Sequence, residues 1–187
     1  WAVYSSNGTS ISVRINTLAS DLLTGTITAN AWNKIQITRT SNTMYLYVND
    51  ALQQSTANTT NFSQSDFAIG NFGQTTGFAF TGYISNVRIV KAGSEILNTC
   101  RSNRFVDNSS SPLSITSTDV RVTPFSPFAP SAAYSAGTNG GSGYFDGNGD
   151  NLQLANNAAL TPTGDFCIEA WAYPISTSGF TYIYSKG

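Results

Sequence analysis

Apolar and polar positions alternate with a period of two along much of this 187-residue chain, the signature of strands with one buried face. In "IQITR", Ile35, Ile37 and Arg39 fall on one face and Gln36 and Thr38 on the other. "MYLYVND" resumes the pattern after a turn at Ser41, Asn42 and Thr43, with Met44, Leu46 and Val48 opposite Tyr45 and Tyr47. Two such runs joined by a short polar connection predict a β-hairpin. "SISVRI" (10–15), "DFAIGN" (66–71) and "YISNVRIV" (83–90) predict further strands, as do "DFCIEAWAYP" (165–174) and "YIYSKG" (182–187). Clusters of Gly, Asn, Ser and Thr between them are turn chemistry. No stretch carries a convincing helical period. Many short strands at this spacing predict an all-β sandwich or jelly roll rather than an open α/β sheet.

A middle region, from Glu95 to Gly143, differs in texture. It runs through "NRFVDNSSS" and "SITSTDVRV" into "TPFSPFAPSAAYSAGTNGGSG", whose Pro, Gly, Ser and Ala content reads as a connector. Pro124, Pro127 and Pro130 would stiffen it into an extended segment running along a surface.

Aliphatic and aromatic residues make up 40 % of the chain, enough for a sizeable core, while only 10 % is charged. A soluble domain usually carries about a quarter, so Ser, Thr, Asn, Gln and Gly must solvate this surface, as in extracellular and virion proteins. The net charge is −1, and the scattered basic residues offer no grouped contact for phosphates, which sets nucleic acid aside as a partner. No apolar run reaches the roughly 20 residues needed to cross a bilayer, so no membrane insertion is expected. The chain opens on Trp1 in mid-pattern, which suggests a processed product or a segment of something longer. Cys100 and Cys167 are too few for a disulfide scaffold. One bridge between them stays open, since spacing alone does not bring two sulfurs together.

"GSGYFDGNGDNLQLANNAALTPTGDFCIEAWAYP" resembles the opening of a laminin-G-like, or concanavalin A-like, jelly-roll domain. Tyr144, Phe145, Asp146, Gly147, Gly149, Asp150 and Leu152 match its Tyr-Phe-Asp-Gly-x-Gly-Asp-x-Leu turn. Phe166, Ile168, Glu169 and Trp171 match its Phe-x-Ile-Glu-x-Trp strand. "TANAWNKIQITRTSNTMYLYVND" and "FTGYISNVRIVK" resemble later parts of the same domain. The order is therefore permuted. Residues 1–94 read as the C-terminal half of a module, and 95–187 as a linker and the N-terminal half, together about one module. A window cut from a tandem array and a circular permutant both fit. The window is favoured, because half a sandwich leaves unpaired strand edges.

Histidine is absent, which removes the commonest general base and most transition-metal sites. Either cysteine would lack an imidazole partner as a nucleophile. The resemblance implies a fold that also hosts glycosidases, but their Glu-x-Asp-x-x-Glu pattern is missing. Asp165 and Glu169 share a strand face about 13 Å apart, at roughly 3.3 Å per residue. Glycosidase pairs need about 5 to 9.5 Å, so no enzyme is expected. Trp171 is expected to fill the sheet interface, and Glu169 to be an inward, hydrogen-bonded carboxylate.

For carbohydrate, aromatic platforms are the signal. Phe72, Phe78 and Phe80 flank the Gly-rich loop "GNFGQTTGFAFTG" and are the candidate ligand-binding residues, with Tyr182 and Tyr184 as further aromatics. Asp146, Asn148 and Asp150 alternate as calcium ligands do. An EF-hand loop would need Gly and Glu where Asn151 and Asn157 stand. The residues read as a tight turn, with Gly147 and Gly149 at positive φ and side chains bonding the backbone. The resemblance implies calcium between loops in some relatives, to which Asp146 and Asp150 could contribute. No metal or cofactor is expected.

The expected function is non-enzymatic structural display and adhesion at a virion or extracellular surface, as in a phage fibre, decoration or appendage. Its partners would be other copies or virion proteins. The alternative is a lectin-like receptor-recognition module of a phage or bacterial adhesin, binding a host-surface glycan.

Overall fold

A computed structural model describes residues 1–15, 20–62, 66–72, 78–99, 105–128, 141–161, 163–175 and 179–186. Within them the alternating pattern becomes two antiparallel sheets facing each other across an apolar interior. One sheet runs in the order β10 (Ile115–Thr118), β13 (Asn151–Leu154), β7 (Phe67–Ile69), β15 (Thr181–Lys186), β1 (Ala2–Ser5), β2 (Ser10–Arg14) and β3 (Leu23–Thr26). The other runs β11 (Arg121–Thr123), β12 (Ser142–Asp146), β8 (Thr81–Lys91), β14 (Phe166–Pro174), β4 (Asn33–Thr40), β5 (Thr43–Val48) and β6 (Ala51–Ala57). A further strand, β9 (Ser94–Asn98), pairs with β8 beside this path. This is the all-β sandwich that the sequence predicts.

Strands from residues 1–94 and from residues 95–187 share both sheets. β14 lies between β8 and β4, and β15 between β7 and β1. Trp1 and Lys186 are hydrogen-bonded neighbours: each backbone nitrogen donates to the other's carbonyl, both at 2.8 Å.

The predicted hairpin forms as β4–β5, but with a shorter turn. Thr43 pairs with Thr40 inside the ladder, and only Ser41 (φ 48) and Asn42 (φ 63) make the loop. Two central residues at positive φ give the turn whose twist matches that of the flanking strands. Asn49 (φ 51) and Asp50 (φ 65) repeat this device into β6.

β6, "ALQQSTA", has no predictable pattern because it is an edge strand, exposed along nearly its whole length. Its glutamines close one side of the sandwich. The Gln54 Oε1 atom accepts from the Thr24 amide at 2.6 Å, and Gln53 Oε1 from the Thr26 amide at 3.2 Å. Side chains thus occupy backbone donors on β3 that would otherwise form an open edge. Gly25 makes the approach feasible, since a Cβ there would lie 2.9 Å from the Gln53 side chain.

The middle region holds more structure than its composition suggests. "SITSTDVRV" supplies β10 to one sheet and β11 to the other, with Asp119 at φ 56 between them. After β11 the chain continues as a strap that bends at Pro124, Pro127 and Phe128 instead of running fully extended, and it is described as far as Phe128; Pro130 lies outside the described residues.

Inward positions form one core: Ile35 and Ile37 on β4, Met44 and Leu46 on β5, Ile84 and Ile89 on β8, Val13, Leu152 and Ile183 opposite. Arg39 shares that inward face and is buried. Its Nε atom donates to the Gly164 carbonyl at 2.7 Å and an Nη to the Thr60 carbonyl at 2.6 Å, while its guanidinium lies 5.0 Å from the Phe166 ring. Carbonyls and ring faces replace the water this cation loses. Among the described residues no helix is long and apolar enough to cross a membrane.

Candidate functional site

Alternation along β14 decides what the outer face of the β8–β14–β4 sheet presents. Phe166, Ile168, Ala170 and Ala172 are buried, so Cys167, Glu169, Trp171 and Tyr173 point the other way and are half-buried. Two expectations need correcting here. Trp171 does not fill the sheet interface, and Glu169 is not an inward carboxylate, because both occupy the opposite parity to the core residues. The interior positions beside Trp171 are alanines, which leaves the large ring outside.

β8 adds a polar group by breaking the ladder. Glu169 pairs with Arg88, but Trp171 pairs with Ser85, so Asn86 and Val87 together stand opposite Ala170. This is a β-bulge, and Asn86 takes φ 51 within it. Bulges re-aim side chains at the cost of one ladder position. The Asn86 amide thereby joins Trp171 and Glu169 in one hollow. The sequence signal was present in "YISNVRIV", where Ser85 and Asn86 interrupt the apolar alternation.

The strap after β11 forms the remaining wall. The Ser142 hydroxyl donates to the Phe125 carbonyl at 2.5 Å, and the Ser126 hydroxyl accepts from the Phe128 amide at 3.2 Å. Phe125 lies against Tyr83, Tyr173 and Trp32, with ring centroids 4.7, 5.0 and 5.2 Å away. Phe128 meets Trp171 at 5.4 Å with the ring planes 72° apart, yet it remains 46 % exposed. The two rings make an aromatic corner that opens to solvent.

Lys34, Asn86, Glu169, Trp171 and Phe128 line a hollow of about 190 Å³ at that corner. Lys34 comes from β4 and its ammonium meets Asp50 at 2.6 Å, which raises its pKa and keeps it charged. The Arg88 guanidinium binds Glu169 at 3.1 Å and Glu95 at 2.7 Å, so one cation serves both glutamates of the chain. Arg88 and the Asn98 amide hold the Glu95 carboxyl below the usual range. Chemically, the hollow offers an aromatic platform, an anionic acceptor, a cationic donor and an amide that can do either. Among the described residues, no hydrogen bond engages the Asn86 side chain.

The sequence-predicted aromatics lie elsewhere. Phe80 is buried in the core, edge-on to Phe145 at 6.3 Å. Phe72 and Phe78 stand on the outer face of the other sheet, 4.9 and 5.5 Å from Tyr182. Residues 73–77 of their Gly-rich loop lie outside the described residues. Tyr184 is fully buried, because the β1–β15 register shifts between Val3↔Tyr184 and Tyr4↔Tyr182 and turns the two tyrosines to opposite faces.

At the turn 146–150, the Asp150 carboxylate accepts from the Asp146 amide at 2.5 Å, and the Asp146 carboxylate from the Asn148 amide at 2.7 Å. Gly147 and Gly149 take φ 86 and 89. Burial, with Asp146 nearby, raises the Asp150 pKa. Among the described residues no three metal-ligating side chains gather. Cys167 is a free thiol, its pKa raised by burial, and its sulfur lies 3.4 Å from the Gln36 amide. Cys100 lies outside the described residues.

No curated protein and no solved structure matches the chain significantly. Residues 1–93 match a laminin-G family model described as the concanavalin A-like lectin/glucanases superfamily, a grouping that covers both sugar-binding and sugar-cleaving proteins. With that match and the two antiparallel sheets together, residues 1–93 carry the laminin-G-like signature of the concanavalin A-like superfamily within an all-β sandwich.

Proposed function

We propose that this domain is a non-enzymatic, lectin-like adhesion module that acts at an extracellular or virion surface and binds glycan at the Trp171–Phe128 corner. The observation that carries the reading is the corner itself: two steeply crossed aromatic rings above Lys34, Asn86 and Glu169. A pyranose has apolar C–H faces and hydroxyl edges. Rings receive the first and paired charged or amide groups the second. Its size suits one sugar ring, being below the 300 Å³ or so of a drug-sized pocket.

The glutamates support binding over cleavage. A glycosidase needs one carboxyl protonated as the general acid, whereas Glu95 and Glu169 both sit on Arg88 and Glu95 is held ionised. Assembly through open sheet edges is disfavoured along β3, where Gln53 and Gln54 already occupy backbone donors.

Glycan-array screening followed by calorimetric titration with Trp171→Ala tests the reading. Buried aromatic anchors cost about 2 kcal/mol or more on truncation, so affinity should fall about 30-fold. Thermal stability should change little, because the ring stands outside the core. Unchanged binding by the variant, or no glycan bound by the wild-type chain, would overturn it.

A further inference from the structure

A second and larger hollow lies beside the edge of the same sheet. It measures about 390 Å³ and is lined by Ser94 and Glu95 of β9, Ser110, Ser111 and Leu113 of the following loop, and Asn157. Among the described residues, the hydroxyls of Ser94, Ser110 and Ser111 have no hydrogen-bond partner. The loop is prebuilt. Buried Asp107 accepts from the amides of Asn98 and Ser109, both at 2.9 Å, from the Ser109 hydroxyl at 2.9 Å, and from the Leu113 amide at 2.8 Å.

The two hollows share an ionic bridge. Glu95 lines the larger one, Glu169 lines the aromatic corner, and Arg88 binds both carboxylates. The two ion pairs use two of the five donors that a guanidinium carries.

Resting on the proposed glycan site, we infer that these hollows are subsites of one extended site for a neutral oligosaccharide, with Arg88 as the contact between them. The corner holds one ring by stacking. Arg88 and its two carboxylates meet hydroxyls of the next, and the serine-lined hollow takes a further one. Charge excludes an anionic chain. The path carries Lys34 and Arg88 against Asp50, Glu95 and Glu169, so a uronic or sialic acid would meet an excess of carboxylate. Asp107 keeps the far subsite formed before binding, which lowers the ordering cost.

The test is calorimetric titration of the whole chain with neutral ladders of gluco-, manno- and N-acetylgluco-oligosaccharides, mono- to tetrasaccharide. For the ladder that binds, affinity should rise about 10-fold or more from mono- to trisaccharide, equivalent to about 1.4 kcal/mol. Ser111→Trp, which fills the far hollow, should erase that gain while leaving the monosaccharide Kd unchanged. The double variant Ser110→Ala, Ser111→Ala removes hydroxyls without adding bulk and should lower the gain in the same direction. A wild-type chain that binds mono- and trisaccharide alike overturns the inference and leaves the aromatic corner standing. A gain that survives both variants also overturns it. A wild-type chain that binds no member of any ladder overturns the inference, and one that also binds no glycan on the array overturns both readings.

Discussion

Replacing Asp107 by alanine should destabilise the domain more than its short loop suggests. The carboxylate accepts four hydrogen bonds at 2.8 to 2.9 Å, three of them from backbone amides. Alanine would leave the Asn98, Ser109 and Leu113 N–H groups without their acceptor. An orphaned buried donor costs about 1–3 kcal/mol. Ser109 is buried and should incur that in full, whereas Leu113 and Asn98 are half-buried and rehydrate in part. The sum is about 3–5 kcal/mol. With a urea m-value of about 2 kcal/mol/M, the unfolding midpoint followed by tryptophan fluorescence should fall by about 2 M. Asp107→Asn keeps one acceptor oxygen and should lose about half as much. A midpoint shift below about 0.5 M for Asp107→Ala would refute the reasoning, since it would mean the loop holds its shape without the carboxylate.

Two further predictions concern the glycine turn and alkaline pH. Gly147 and Gly149 have nearly the same φ, but a Cβ at Gly147 would lie 2.2 Å from Thr81 Oγ1 and one at Gly149 would meet nothing within 4 Å. Gly149→Ala should therefore cost only the left-handed backbone penalty of about 1–2 kcal/mol, and Gly147→Ala distinctly more; equal thermal midpoints would refute the steric assignment. The Tyr4 phenol is pushed up to about 12 by burial and by its hydrogen bond to the Asp21 carboxylate. A raised folded-state value favours the protonated form, so this contribution is whole below the ordinary value of 10.0 and is lost as pH rises toward 12. Urea midpoints should fall across that window, and the fall should be smaller in Tyr4→Phe, which begins less stable at neutral pH; identical pH profiles would exclude Tyr4 as a source.

The strands with clean alternation were legible because burial on one face dictates them. "IQITR", "MYLYVND" and "DFCIEAWAYP" each supply the strand that the pattern predicts, with corrections to the turn at Thr43 and to the parity of Trp171 and Glu169. β6 and β10 were not legible. Edge strands are solvated on both faces and around their rim, so no apolar period marks them. The residues of the corner were visible singly, but Asn86 acquires its place through a bulge, and Phe128 through a strap fixed by Ser142.

By itself, then, the sequence determined the fold class and the use of Gly147 and Gly149 in a turn. Those depend on local periodicity, backbone freedom and the recurrence of a pattern along one chain. Tertiary structure decided which aromatics serve the core and which the surface. Phe80 and Tyr184 went inside, and Trp171 and Phe128 came together outside. Pairing register, a bulge and a crossing segment set those outcomes, and each depends on residues far apart in the chain that meet only when both sheets are complete.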